Sequence, residues 1–146
     1  MAKIIGSGKI DWDKDRLFGS LKEFDCKKVA GFIFALERGY SFPNVEVARR
    51  SGDYYLCQAY HGDEISYGGH HRAIAHFISG FSFGFNLREE DKPKLPKPVH
   101  LIQNCVCENK EYPYDWYNYL RRTDAEELAK ILGDDLSTRN LRFLDE

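Results

Sequence analysis

The chain has 146 residues, 42% of them hydrophobic, so it is long and apolar enough to bury a core, and wholesale disorder is excluded. Lys and Arg number 21 against 23 Asp and Glu, a formal charge of −2, which excludes a protein that grips nucleic acid through bulk positive charge. The longest apolar run, Val29 to Leu36, falls far short of the roughly 20 residues a membrane helix needs. Residues 1–146 are expected to form a single domain, and the polar start Met1-Ala2-Lys3 is unlike a secretory signal. A cytoplasmic location is the corresponding expectation.

In chain order, Ile4-Ile5 and Lys9 to Trp12 read as extended, whereas Leu17, Phe18, Leu21 and Phe24 fall at helical spacing. Asp25 is placed to cap a helix over 26–38, whose Cys26, Val29, Phe32, Ile33 and Leu36 recur at three- and four-residue steps as one buried stripe. Gly39 suits its end. Val45 to Ala48 alternates as a strand, Arg49 to Asp53 turns, and Tyr54 to Tyr60 is a second β-rich run. Glu64 to Tyr67 reads as a short returning strand. Gly68-Gly69 ends it, and a helix follows with Ile74, Phe77 and Ile78 on one face and Gly80 as its stop.

Residues 81–98 read as a loop, because Lys92-Pro93-Lys94-Leu95-Pro96-Lys97-Pro98 cannot hold regular structure. Val99 to Val106 reads as a strand, which would put Cys105 and Cys107 on one face. Those cysteines, with Cys26 and Cys57, are read as small buried hydrophobes, since no second Cys pair completes a zinc set. The aromatics from Tyr112 to Tyr119 suggest a hydrophobic lid. A last helix opens at the capping box Thr123 to Glu126 and ends at Gly133. The expected class is α/β in the α+β sense, a small mixed sheet with packed helices.

The chemistry concentrates at Tyr67-Gly68-Gly69-His70-His71-Arg72-Ala73. Two glycines allow a tight turn and close approach of a ligand to the backbone. The opening helix presents unpaired N–H groups and the positive end of its dipole. Arg72 adds a fork-shaped charge that matches phosphate oxygens, and His70 and His71 can donate hydrogen bonds or move a proton. Together these parts favour an oxyanion, although glycine pairs also serve as plain turns and histidines as polar caps. The glycines fit neither a P-loop nor a dinucleotide fingerprint.

Gly68-Gly69-His70-His71-Arg72 resembles the signature of the ParB/sulfiredoxin superfamily, where sulfiredoxins carry Gly-Gly-Cys-His-Arg and free-serine kinases Asp-Gly-His-His-Arg. Asp25-Cys26-Lys27-Lys28-Val29, Phe42-Pro43-Asn44-Val45 and Gly52-Asp53-Tyr54 resemble further family segments in the same order, so the likeness spans residues 25–106 and leaves 107–146 as an extension. It implies a ParB/sulfiredoxin-like fold in which Lys28, Gly68, Gly69, His71 and Arg72 hold a nucleotide phosphate and His70 and His71 are the catalytic candidates. The implied ligand is ATP, ADP or CTP, with Mg2+ as its companion ion, and the implied activity is nucleotide hydrolysis or phosphoryl transfer. His70 stands where sulfiredoxins have cysteine, and imidazole cannot form the thiosulfinate that their repair reaction needs. Sulfiredoxin activity is therefore not expected.

The alternative is a non-catalytic ParB-like module that binds DNA or a protein partner; a nuclease is a weaker third reading, because no paired acidic motif stands out. No metal site is expected among His61, Asp63, His70, His71 and His76, which lack the spacing of known sets. Glu46, Asp53, Asp63 and Glu64 include candidates for a general base or a magnesium ligand, and solvated charges at strand ends are the simpler reading of each.

Overall fold

A computed structural model of the chain describes residues 3–61, 64–67, 69–89, 99–108, 120 and 125–132. It is an α+β structure of two compact units, each assembled from separate stretches of chain: Met1–Lys22 with Asn44–Cys105, and Glu23–Pro43 with Val106–Glu146. No helix among the described residues is long and apolar enough to cross a membrane.

The first unit is built on a six-stranded mixed sheet. Its strands are β1 (Lys3–Ile10), β2 (Leu17–Gly19), β4 (Val45–Arg50), β5 (Asp53–Leu56), β8 (Phe83–Glu89) and β9 (His100–Leu101). They lie in the order β1-β8-β4-β5-β2-β9, parallel at β4/β8 and β2/β5 and antiparallel elsewhere. Strands β4 and β5 are joined by a two-residue hairpin in which Ser51 has φ 52° and Gly52 φ 86°. Positive φ at both positions gives the turn a twist that matches the flanking strands.

One sheet face gathers Leu17, Val45, Val47, Leu56, Phe83 and Phe85, all buried, because period-two alternation sends these residues to the same side. Helix α2 (His70–Ser79) lies against this face, and β6 (Gln58–His61) and β7 (Glu64–Tyr67) pair antiparallel just before it. Trp12 packs its ring between Phe77 of the helix and Phe83 of the sheet, with centroids at 5.3 and 5.7 Å.

Helix α1 (Cys26–Glu37) is the centre of the second unit, where it packs against helix α3 (Ala125–Leu132). Its Asp25 cap accepts hydrogen bonds from the Lys27 and Lys28 amides at 3.0 and 3.2 Å. Its end is closed by Gly39 at φ 90° and by the Tyr40 amide, which donates to the Ala35 carbonyl. Strand β3 (Glu23–Phe24) pairs in parallel with β10 (Val106–Cys107).

Several expectations need correction. The helical spacing of Leu17 and Phe18 is coincidental, since both lie in β2, where Leu17 and Gly19 turn inward and Phe18 outward. The β-rich run from Tyr54 to Tyr60 is two strands, β5 and β6, interrupted at Cys57. Helix α1 has no single stripe: Ala30, Gly31, Phe34 and Ala35 are buried as well, as a helix apolar on all sides should be. The supposed loop after Gly80 contains β8, whose Phe83 and Phe85 face inward while Gly84 and Asn86 alternate with them. The expected strand from Val99 to Val106 is broken by a 3-10 turn over Ile102–Asn104 that buries Ile102. Cys105 therefore does not share a strand face with Cys107; its thiol donates to the Leu21 carbonyl at 2.9 Å. Burial pushes that thiol up to about 11, so it stays protonated at neutral pH. Its half-buried thiol and that of Cys107 are free. The Lys92–Pro98 run, the aromatics of 112–119 and the capping box and stop proposed for α3 lie outside the described residues, apart from Ala125 and Glu126 at the start of that helix.

Candidate functional site

The junction leading into α2 is built around Gly69, which caps the helix with φ 93° and offers it no side-chain hydrogen bond. That left-handed conformation costs an L-residue with a side chain roughly 1–2 kcal/mol. A Cβ here would also stand 2.7 Å from Val45 Cγ1 on β4, so glycine lets the helix start sit directly on the sheet. The helix ladder begins with the Ala73 amide donating to the Gly69 carbonyl at 2.8 Å. The amides of His70, His71 and Arg72 precede that first intrahelical bond. No acidic residue occupies the first turn, which instead carries two histidines and an arginine. A cation such as Arg72 at this end opposes the dipole by about 0.3–1 kcal/mol, and an anion there is favoured by it.

His70 is buried, with its ring over Gly19 of β2. The Ser20 amide donates to its Nε2 at 2.9 Å, and the Ser20 hydroxyl lies 3.3 Å from the same nitrogen. A backbone N–H can only donate, so Nε2 presents its lone pair and the neutral ring carries its proton on Nδ1. This is the contact that sequence reasoning missed. Ser20 lies 50 residues upstream, just past the end of β2. His71 and Arg72 follow on the same turn, both half-buried. Gly68 lies outside the described residues, and Lys28 lies on α1 in the second unit.

His76 lies one turn beyond Arg72. Its Nδ1–H donates to the Phe81 carbonyl at 3.3 Å, and its ring packs on Phe83. Burial lowers its pKa below the ordinary 6.5, and the nearby Arg72 guanidinium lowers it further, against the raising effect of backbone bonds to Phe81 and Ser82. Folded His76 thus resists a proton that the unfolded chain accepts. Its contribution to stability is complete above pH 6.5 and is lost as pH falls from there through the lowered folded value. Urea unfolding at pH 7.5 and 5.5 should show lower stability at the acid end, and His76→Asn should flatten part of that slope.

The acidic candidates divide. Glu46 forms an ion pair with Arg88 across β4 and β8, beside a hydrogen bond donated by Asn44 Nδ2 to Asn86 Oδ1, so its carboxylate is engaged on the sheet. Asp53 closes the Ser51-Gly52 hairpin opposite Arg50. Asp63 and the side chains of His61 and Glu64 lie outside the described residues. Among the described residues no group of three or more His, Cys, Asp or Glu is placed to hold a metal ion.

Comparison of the chain with protein-family models, with curated proteins and with solved structures returned no match.

Proposed function

We propose that the start of α2 binds the phosphates of a nucleoside di- or triphosphate, and that the protein hydrolyses the nucleotide or transfers a phosphoryl group. The observation that carries this reading is a helix N-terminus with a left-handed glycine cap, no side-chain cap and a first turn of His70, His71 and Arg72. Backbone amides there point their partial positive charge at whatever occupies the junction, and Arg72 supplies full charge in a shape suited to phosphate. His71 is the donor and proton carrier next to the leaving oxygen. The motif resemblance implies a ParB/sulfiredoxin-like fold with Gly68 as a further phosphate ligand. Mg2+ would enter on the phosphate oxygens of the nucleotide, and a cytoplasmic setting fits such a ligand.

Calorimetric titration with ATP, ADP and CTP, each with and without magnesium, tests the proposal. The wild-type chain should bind one of them, and Arg72→Ala should weaken that binding by about 10–100-fold while staying folded, as expected for loss of a charge-assisted contact worth about 1.5–3 kcal/mol. Arg72→Lys should restore only part of it, because an ammonium keeps the charge without the fork.

The alternative, a non-catalytic module that binds DNA, draws on a different place. Phe18 stacks on Tyr55 at 5.2 Å, and the exposed Arg16 lies over Phe18. Salt-sensitive retention on DNA, with no heat from any nucleotide, would favour that reading.

A further inference from the structure

The His70 ring nitrogen is engaged by a distant backbone amide, and the geometry around it is specific. His70 is 8% exposed, and a Cβ on Gly19 would lie 2.5 Å from Nε2 and 2.6 Å from Cδ2. Strand β2 therefore ends in the residue type that admits the ring, and the next amide, that of Ser20, bonds to it. We infer that Ser20 and His70 form a pH-sensitive clamp that fixes the first turn of α2 against the exit of β2, making His70 a positioning residue and leaving direct contact with the anion to His71 and Arg72. The functional consequence rests on the oxyanion reading given above; the clamp itself does not.

The chemistry of the clamp follows from the donor. Ser20 N–H requires a lone pair on Nε2, and protonation there replaces the lone pair with a second N–H. Donor then faces donor, and the bond is lost. Among the described residues, the titratable or charged groups on the elements around the ring are few. His100 on β9 lies at the register of Gly19, and α2 itself carries His71, Arg72 and His76. Strand β2 and the 3-10 turn at Ile102–Asn104, which supplies Ile102 to the same pocket, carry no charged residue. A proton on Nε2 therefore opens the clamp.

The test is amide exchange and histidine 15N NMR on the full chain across about pH 5 to 8, the range in which imidazoles titrate. At the upper end His70 should show an unprotonated Nε2 and the Ser20 amide should be protected. On acidification that protection should fall by about tenfold or more, the equivalent of one lost hydrogen bond. His70→Gln, whose Oε1 can accept the Ser20 proton but cannot titrate, should keep the protection at every pH. His70→Leu, which fills the space without an acceptor, should lose it at every pH and weaken binding of inorganic pyrophosphate by about tenfold, whereas His70→Gln should bind it like the wild type. A proton on Nε2 of neutral His70, or Ser20 protection that is the same in all three chains, would overturn the clamp. Should the clamp titrate as described while pyrophosphate binds none of the chains, the oxyanion reading fails and the clamp stands.

Discussion

Gly69→Ala should destabilise the protein by about 2–5 kcal/mol and, if the proposed oxyanion site is real, abolish phosphate binding together with it. Two penalties act at once. The backbone at φ 93° lies in a region that costs an alanine about 1–2 kcal/mol. The new methyl also meets Val45 Cγ1 at 2.7 Å, with Leu56 Cδ2 behind it at 3.8 Å, and overpacking of a buried contact adds about 1–3 kcal/mol. Val45 is 4% exposed in the middle of the sheet, so it has little room to give. The strain is relieved most cheaply by lifting the start of α2 from the sheet, which moves the amides of His70 to Arg72 away from their common focus. Total stability for a domain is commonly only about 5–15 kcal/mol, so the loss should be plain in a urea midpoint. A midpoint unchanged from wild type would mean that the close approach of Gly69 to β4 is not real.

Gly19→Ala should be nearly as damaging, for a different reason. The added Cβ occupies the place of the His70 ring, 2.5 Å from Nε2, and also approaches Ile102 Cδ1 at 3.1 Å. Displacing the ring leaves the Ser20 amide without its acceptor at a part-buried position, so overpacking and a lost hydrogen bond together should cost about 2–4 kcal/mol. A double-mutant cycle separates this from a general effect of alanine in β2. Once His70→Ala has removed the ring, Gly19→Ala has space, and the double variant should be more stable than the sum of the single changes predicts by about 1 kcal/mol or more. Strict additivity would show that the two residues do not share the pocket. Alanine at Gly84 gives a useful comparison, because its Cβ would collide with the Asn44 side chain on the opposite sheet face from Phe83 and Phe85.

The parts of this molecule that could be read from sequence are those whose signal is local. Helix α2 was legible because glycines in left-handed conformations bracket it, Gly69 before and Gly80 after at φ 81°. The same holds for α1, whose aspartate cap and Gly39 stop are local devices, and for the Ser51-Gly52 hairpin. Strand β8 was not legible, because its alternation is carried by only Phe83 and Phe85 before half-buried residues, and the proline-rich run that follows dominates any reading of the segment. The interruption at Ile102 is equally silent. A β-branched residue suits a strand, and only tertiary burial turns the chain into a 3-10 turn there.

The candidate site shows the same division. Glycines, histidines and arginine at a strand–helix junction are the local signal on which the proposed oxyanion site rests. How each histidine is held by the fold is not written in that order. His70 and His71 are adjacent residues of one type, and the amide that meets His70 comes from 50 residues away. Likewise Glu46, an acid free to serve as a base on paper, becomes the partner of Arg88 once β4 lies beside β8. Tertiary proximity decides both cases, and it is the property least visible in a single chain.

The most direct test of the proposed function is an amide NMR titration with ADP in low-salt buffer. The backbone N–H signals of His70, His71 and Arg72 should move together and saturate, with signals elsewhere on the sheet little changed and the effect lost in Arg72→Ala. Saturable shifts confined to other residues, or no shifts in these three at millimolar nucleotide, would contradict an oxyanion site at the start of α2.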